Sequence, residues 1–137
     1  MSKVSLVLLD TSVLIDLECL DLGEFSIATS AVSAVSVAEL AYGLDTNDPV
    51  QRLVRSERYQ AVLQNFPILP FDTAEAKLYG TLAALVRQSG RNPRPRRLDL
   101  QIAATASAHS IPLLTTNAAD FTGLERLVEV IALAPKS

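Results

Sequence analysis

The chain has 137 residues, 49% of them hydrophobic, and a formal net charge of −3; this length suits one domain, spanning 1–137, with its own buried core. One cysteine and one histidine exclude disulfide frameworks and zinc sites that need several soft or imidazole ligands, and remove most nucleophilic triads. No apolar block approaches the ~20 residues that cross a bilayer, and Met1-Ser2-Lys3 leads into an apolar run stopped by Asp10, so neither a membrane span nor a secretory signal is expected and the location expected is cytoplasmic.

Residues 4–9, Val-Ser-Leu-Val-Leu-Leu, form a short run of β-formers, too brief for a helix and apolar enough for a strand buried on both faces. Asp10 ends it, and Val13, Leu14, Leu17 and Leu20 then recur at helical spacing. Residues 26–32 read as a second strand. Ser36 and Glu39 have capping-box spacing and are expected to open a helix through Leu40 and Leu44. After Pro49, an amphipathic helix with a mainly basic polar face runs to about Asn65. Pro67 to Phe71 is a third strand candidate, and Asp72 with Glu75 starts a helix to Gln88.

From Gly90 to Arg97 the sequence is Gly-Arg-Asn-Pro-Arg-Pro-Arg-Arg, where two prolines deny regular structure and the arginines call for an exposed loop. Leu98 to Ser110 is an alanine-rich helix, Ile111 to Thr115 a fourth strand, Asn117 to Gly123 a turn or short helix, and 127–133 a fifth strand. Cys19 and His109 each lie in an apolar helical pattern and are expected to pack in the core. Strands alternating with helices imply parallel βαβ units in a sheet covered on both sides.

In such sheets the ligand crevice lies beyond the carboxyl ends of the strands. Asp10 falls there, Glu39 and Asp99 are expected in first helical turns, and Asn117 and Asp120 follow the fourth strand. Each has a plain alternative, because an acid in a first turn also favours the helix dipole or caps a free amide. Taken together, clustered carboxylates repel one another and persist only with shared protons or bound cations. Any metal in this chain must be held by oxygen, which points to a hard divalent cation.

Four segments carry a resemblance: Leu-Leu-Asp-Thr-Ser-Val-Leu-Ile-Asp at 8–16, Ser-Ala-Val-Ser-Val-Ala-Glu-Leu-Ala-Tyr-Gly at 33–43, Leu-Asp-Leu-Gln-Ile-Ala-Ala-Thr-Ala at 98–106, and Leu-Leu-Thr-Thr-Asn-Ala-Ala-Asp-Phe at 113–121. In this order and at these separations the chain resembles a PIN domain, most of all the VapC-type toxins of bacterial toxin–antitoxin pairs. The resemblance implies a three-layer α/β/α sandwich around a five-stranded parallel sheet and a magnesium-dependent endoribonuclease, with manganese able to substitute. It makes Asp10, Glu39 and Asp99 the core acids, with Asp10 and Asp99 as metal ligands. Where the family often has a fourth acid, this chain has Asn117, which Asp120 could replace. Thr11, Ser12 and Thr115 match hydroxyl positions that hold ligands or waters by hydrogen bonds. A small antitoxin that blocks the site and a homodimer are the implied partners.

The acidic net charge runs against nucleic-acid binding, but the arginines are unevenly placed. Arg91, Arg94, Arg96 and Arg97, with Arg87 before them, stand directly ahead of Asp99, where they could grip an RNA backbone without reading its sequence. The rival roles are solubilising the loop or meeting an acidic partner. An aspartate-based phosphoryl-transfer domain also begins with an acid after the first strand, but a haloacid-dehalogenase-type phosphatase usually has a second acid where this chain has Ser12. The other alternative is a PIN-like module that binds RNA or protein without cutting.

Overall fold

The computed structural model describes residues 4–136. Met1 to Lys3, with which the argument against a secretory signal begins, and Ser137 lie outside the described residues. In chain order the elements are β1 (Leu6–Leu9), α1 (Thr11–Asp16), β2 (Leu20–Asp21), β3 (Thr29–Ser33), α2 (Ala34–Tyr42), α3 (Pro49–Asn65), β4 (Ile68–Leu69), α4 (Thr73–Gln88), α5 (Arg97–His109), β5 (Leu113–Thr115), β6 (Val130–Ala132) and β7 (Ala134–Pro135). Short 3₁₀ turns fill Leu17–Cys19, Gly23–Ile27, Arg94–Arg96 and Ala118–Phe121.

Five strands form one parallel sheet in the order β4-β3-β1-β5-β6, as the alternating pattern requires. Side chains alternate between faces along a strand, and the burial follows this period. Leu8, Ala31 and Leu113 pack with Leu82 and Val86 of α4 and Leu100, Ile102, Ala103, Ala104 and Ala106 of α5. Val7, Leu9, Val32 and Leu114 face the opposite way, against Val13 and Leu14 of α1 and Val62 of α3. Both faces are therefore covered, which gives the three-layer α/β/α sandwich.

The helix starts show which local signals governed. Asp48 caps α3, accepting from the Val50 and Gln51 amides at 3.0 and 3.3 Å, with Pro49 in the first turn where its missing N–H costs nothing. At α4 the expected Asp72/Glu75 capping box is present, the Glu75 carboxylate accepting from the Asp72 backbone N–H at 2.7 Å. The Ser36/Glu39 spacing did not act in this way. Ser33 caps α2 by accepting from the Val35 amide at 3.1 Å, so the helix opens at Ala34 and places Glu39 past its first turn.

Three further expectations are corrected. The first helix ends at Asp16, and Leu20–Asp21 instead pairs antiparallel with Ala134–Pro135 in a small separate ribbon. Cys19 is exposed rather than packed. His109, in the last turn of α5, is also exposed, its Nδ1 lying 3.0 Å from the Thr105 carbonyl oxygen. No helix among the described residues is long and apolar enough to cross a membrane.

Candidate active site

The register of the sheet assembles the site. Leu9 lies beside Val32 of β3 and Leu114 of β5, and the Asp10 N–H extends the ladder to the Leu114 carbonyl at 2.9 Å. One step on, Asp10, Ser33 and Thr115 share the carboxyl ends of three neighbouring strands. Period-two alternation turns all three toward the face covered by α5, whose first turn carries Asp99. The buried Ser33 hydroxyl accordingly lies 3.1 Å from Thr105 Oγ1 of α5.

Asp10 is only 4% exposed. It occupies the residue before α1, yet its side chain makes no capping bond. Instead its Oδ2 accepts from Thr115 Oγ1 at 2.8 Å and Ser12 Oγ at 2.9 Å. Two hydroxyl donors fix one carboxylate oxygen, and a plain helix cap would not need them.

Glu39 reaches the same region from the middle of α2. Its Oε1 accepts from Thr11 Oγ1 at 2.8 Å, and Thr11 Oγ1 also lies 2.8 Å from the buried Ser36 hydroxyl. Ser36 is thus the hydroxyl that sequence reasoning missed as a site residue, having read it as a cap. Burial raises the Glu39 pKa; the Thr11 hydrogen bond opposes this, and the negative charge of Asp10 adds to it.

Asp99 is the most perturbed acid, its pKa pushed up to about 6. Burial is the largest cause, followed by the charges of Asp10 and Asp120, with Arg96 opposing and Glu39 adding. Asp10, Asp120 and Glu39 are thus the acids whose charges reach Asp99. Asp120 joins from the 3₁₀ turn after β5 and pairs with Arg96 at 2.9 Å; Arg96 also lies 3.8 Å from Asp99. Asn117 sits on the same loop, exposed, its backbone N–H donating to Thr115 Oγ1 at 3.0 Å.

All four arginines expected to grip RNA are exposed, Arg91, Arg94 and Arg96 on the loop and Arg97 at the start of α5; Arg96 alone of them pairs with the site's acids. Beside Glu39 the surface opens into a cleft of about 490 Å³ lined by Ala34, Val35, Ala38, Tyr42, Phe71 and Leu98, with Gln101.

The donor set is all oxygen, which suits a hard cation. Among the described residues, no group of three or more His, Cys, Asp or Glu side chains is close enough to hold a metal ion by itself. Magnesium does not require such a cage, since it keeps several waters and takes one or two carboxylates directly. Burial is the main reason the Asp99 and Glu39 carboxyls hold their protons more tightly, and the charges of neighbouring acids add to it; a cation beside them would offset that added charge. The residues therefore fit magnesium.

Comparison with known proteins places the chain in a family. The sequence profile of the PIN domain matches residues 7–127, while no curated protein gives a significant match. Among solved structures, a member of the VapBC family of toxin–antitoxin systems, VapBC-5 from Mycobacterium tuberculosis, is 32% identical over 93% of this chain and 98% of its own, with a TM-score of 0.78. FitAcB from Neisseria gonorrhoeae is 29% identical over 91% and 96%, with a TM-score of 0.71. VapBC2 from Rickettsia felis, solved with a DNA fragment from its promoter, is 20% identical over 94% and 99%, with a TM-score of 0.71, and shares the fold. The chain belongs to the PIN domain family, in the form seen in VapBC toxin–antitoxin structures.

Proposed function

We propose that this protein is a divalent-metal-dependent endoribonuclease and the toxin of a VapBC-like toxin–antitoxin pair. The observation that carries the reading is the convergence of Asp10, Glu39, Asp99 and Asp120 at the carboxyl edge of the sheet, with hydroxyls spent on fixing Asp10 and Glu39. Asp10 and Asp99 are assigned to hold magnesium, or manganese in its place. When bound, the ion would acidify the attacking water and neutralise charge on the phosphate.

The chain's own residues do the rest. Thr115 and Ser12 hold Asp10 in one orientation; Thr11, backed by Ser36, does the same for Glu39. With its raised pKa, Glu39 is suited to take a proton from the nucleophilic water. Asn117 and Asp120 position substrate or water at the far side of the cluster. RNA cleavage assayed with magnesium and with chelator tests the reading: cleavage is expected only with the metal. Activity that survives chelation would refute it.

The exposed arginines beside the site fit a backbone grip on RNA. Replacing Arg91, Arg94 and Arg97 together by glutamine should weaken RNA binding and lower its log–log salt slope by up to about 2, given about 0.7 per phosphate contact on a single strand. Unchanged binding across a salt series would give those arginines another role.

The antitoxin partner is supported by the VapBC structures this chain resembles and by a groove of about 360 Å³ between α1 and α3, lined by Leu14, Ile15, Val54, Ala61, Val62 and Phe66 among others. Ile15 and Val54 in its lining are exposed, as are Val50 and Leu53 elsewhere on α3, which suits an apolar partner segment. A homodimer belongs to the same proposal, as does a cytoplasmic location. The competing reading, a PIN-like module that binds without cutting, draws on Asn117 standing where the family often has an acid. The chelator experiment separates the two.

A further inference from the structure

We propose that Arg96 is a positioning residue that serves as a built-in counter-ion, occupying the Asp120 side of the acidic cluster and confining a divalent ion to the side of Asp10 and Asp99. The inference rests on the metal-dependent reading above. Its basis is geometric: the guanidinium lies 2.9 Å from Asp120 Oδ1 and 3.8 Å from Asp99 Oδ2, so one side chain bridges the start of α5 and the turn after β5. Isolated surface ion pairs, especially those one helical turn apart, contribute little. The Arg96–Asp120 contact, partly exposed, differs in what it joins: it spans 24 residues of sequence and places a fixed charge beside two of the site's acids.

The backbone supports this placement. Arg96 ends the 3₁₀ turn Arg94–Arg96 and is the residue that leads into α5. Pro93 and Pro95 fix φ on either side of Arg94, so the chain delivers Arg96 to the cluster from a stiff approach. A guanidinium is always protonated and offers a planar fork of donors that suits two carboxylates. It therefore keeps a positive charge beside Asp120 and Asp99 at every working pH, which disfavours a cation approaching Asp99 from that direction. Arg91, Arg94 and Arg97 make no ion pair among the described residues, so the role belongs to Arg96 alone within this loop.

The test is Mn2+ titration of the purified protein by calorimetry, with bound ions counted, for wild type, Arg96→Gln and Arg96→Lys. Wild type should bind one ion per chain. Arg96→Gln should bind about three- to tenfold more tightly, or take up a second ion, because a fixed positive charge beside the site is gone. Arg96→Lys keeps the charge and should stay near wild type. Thermal melting supplies a readout independent of cleavage: without metal, Arg96→Gln should melt lower than wild type, and Mn2+ should raise its melting temperature by more. Wild type and Arg96→Gln with the same affinity and stoichiometry would overturn the inference while leaving the nuclease reading intact, as would two ions in wild type. A wild type that binds no Mn2+ would overturn the metal reading and the inference together.

Discussion

Replacing Asp10 or Asp99 by asparagine should reduce metal-dependent RNA cleavage by at least about a hundredfold, the scale of loss when one preorganised electrostatic group leaves an active site. The fold should survive. Asparagine keeps the size of the side chain and an oxygen acceptor, so Thr115 and Ser12 retain a partner at position 10, while the charge that would hold the cation is removed. Circular dichroism and melting temperature check the fold, and a cleavage assay on the same preparation checks the chemistry. Either variant cutting RNA at the wild-type rate would remove these two residues from the proposed mechanism.

Acidification should produce the second large effect, through Asp99. With its pKa near 6, a proton competes with the cation over a range in which an ordinary aspartate would already be ionised. Mn2+ affinity should therefore fall by roughly tenfold for each pH unit below 6. The sign for stability is opposite. The folded metal-free protein holds the Asp99 proton more tightly than the unfolded chain, whose carboxyl has the ordinary value of 3.8. At neutral pH the ionised group is thus a liability to the fold, relieved as pH falls from about 6 toward 3.8. Because Asp99 is only half-buried, the liability is about 1 kcal/mol after solvent screening. Asp99→Asn should accordingly raise the neutral-pH melting temperature of the metal-free protein and flatten its pH dependence in that window. Calorimetric titrations and melts at pH 5 and pH 7 read both effects, and Mn2+ affinity equal at the two pH values would count against an Asp99 ligand.

The residues that could be placed from sequence are those governed by local chemistry. A short run of β-formers stopped by Asp10 marks a buried strand and its exit, and Pro49 marks a helix start. The Ser36/Glu39 spacing failed because a better cap, Ser33, lay three residues earlier at the end of β3. Ser36 was then free to act in tertiary structure, and its contact with Thr11 crosses 25 residues. Arg96 was readable as one of several loop arginines, but its engagement with Asp120 depends on how α5 and the turn after β5 meet in space. The same holds for the pairing of Leu20–Asp21 with Ala134–Pro135, two stretches too short to show any periodicity.

The position of β1 between β3 and β5 also bears on how the molecule is made. Synthesis proceeds from the N-terminus, so the first strand can gain one flank early but must wait for residues 113–115 before the other is filled. Ribosome-bound fragments that stop short of this point have neither Thr115 to brace Asp10 nor Asp120 to complete the carboxylate group. The carboxyl edge of the sheet is thus completed only once β5 and the turn after it have been made.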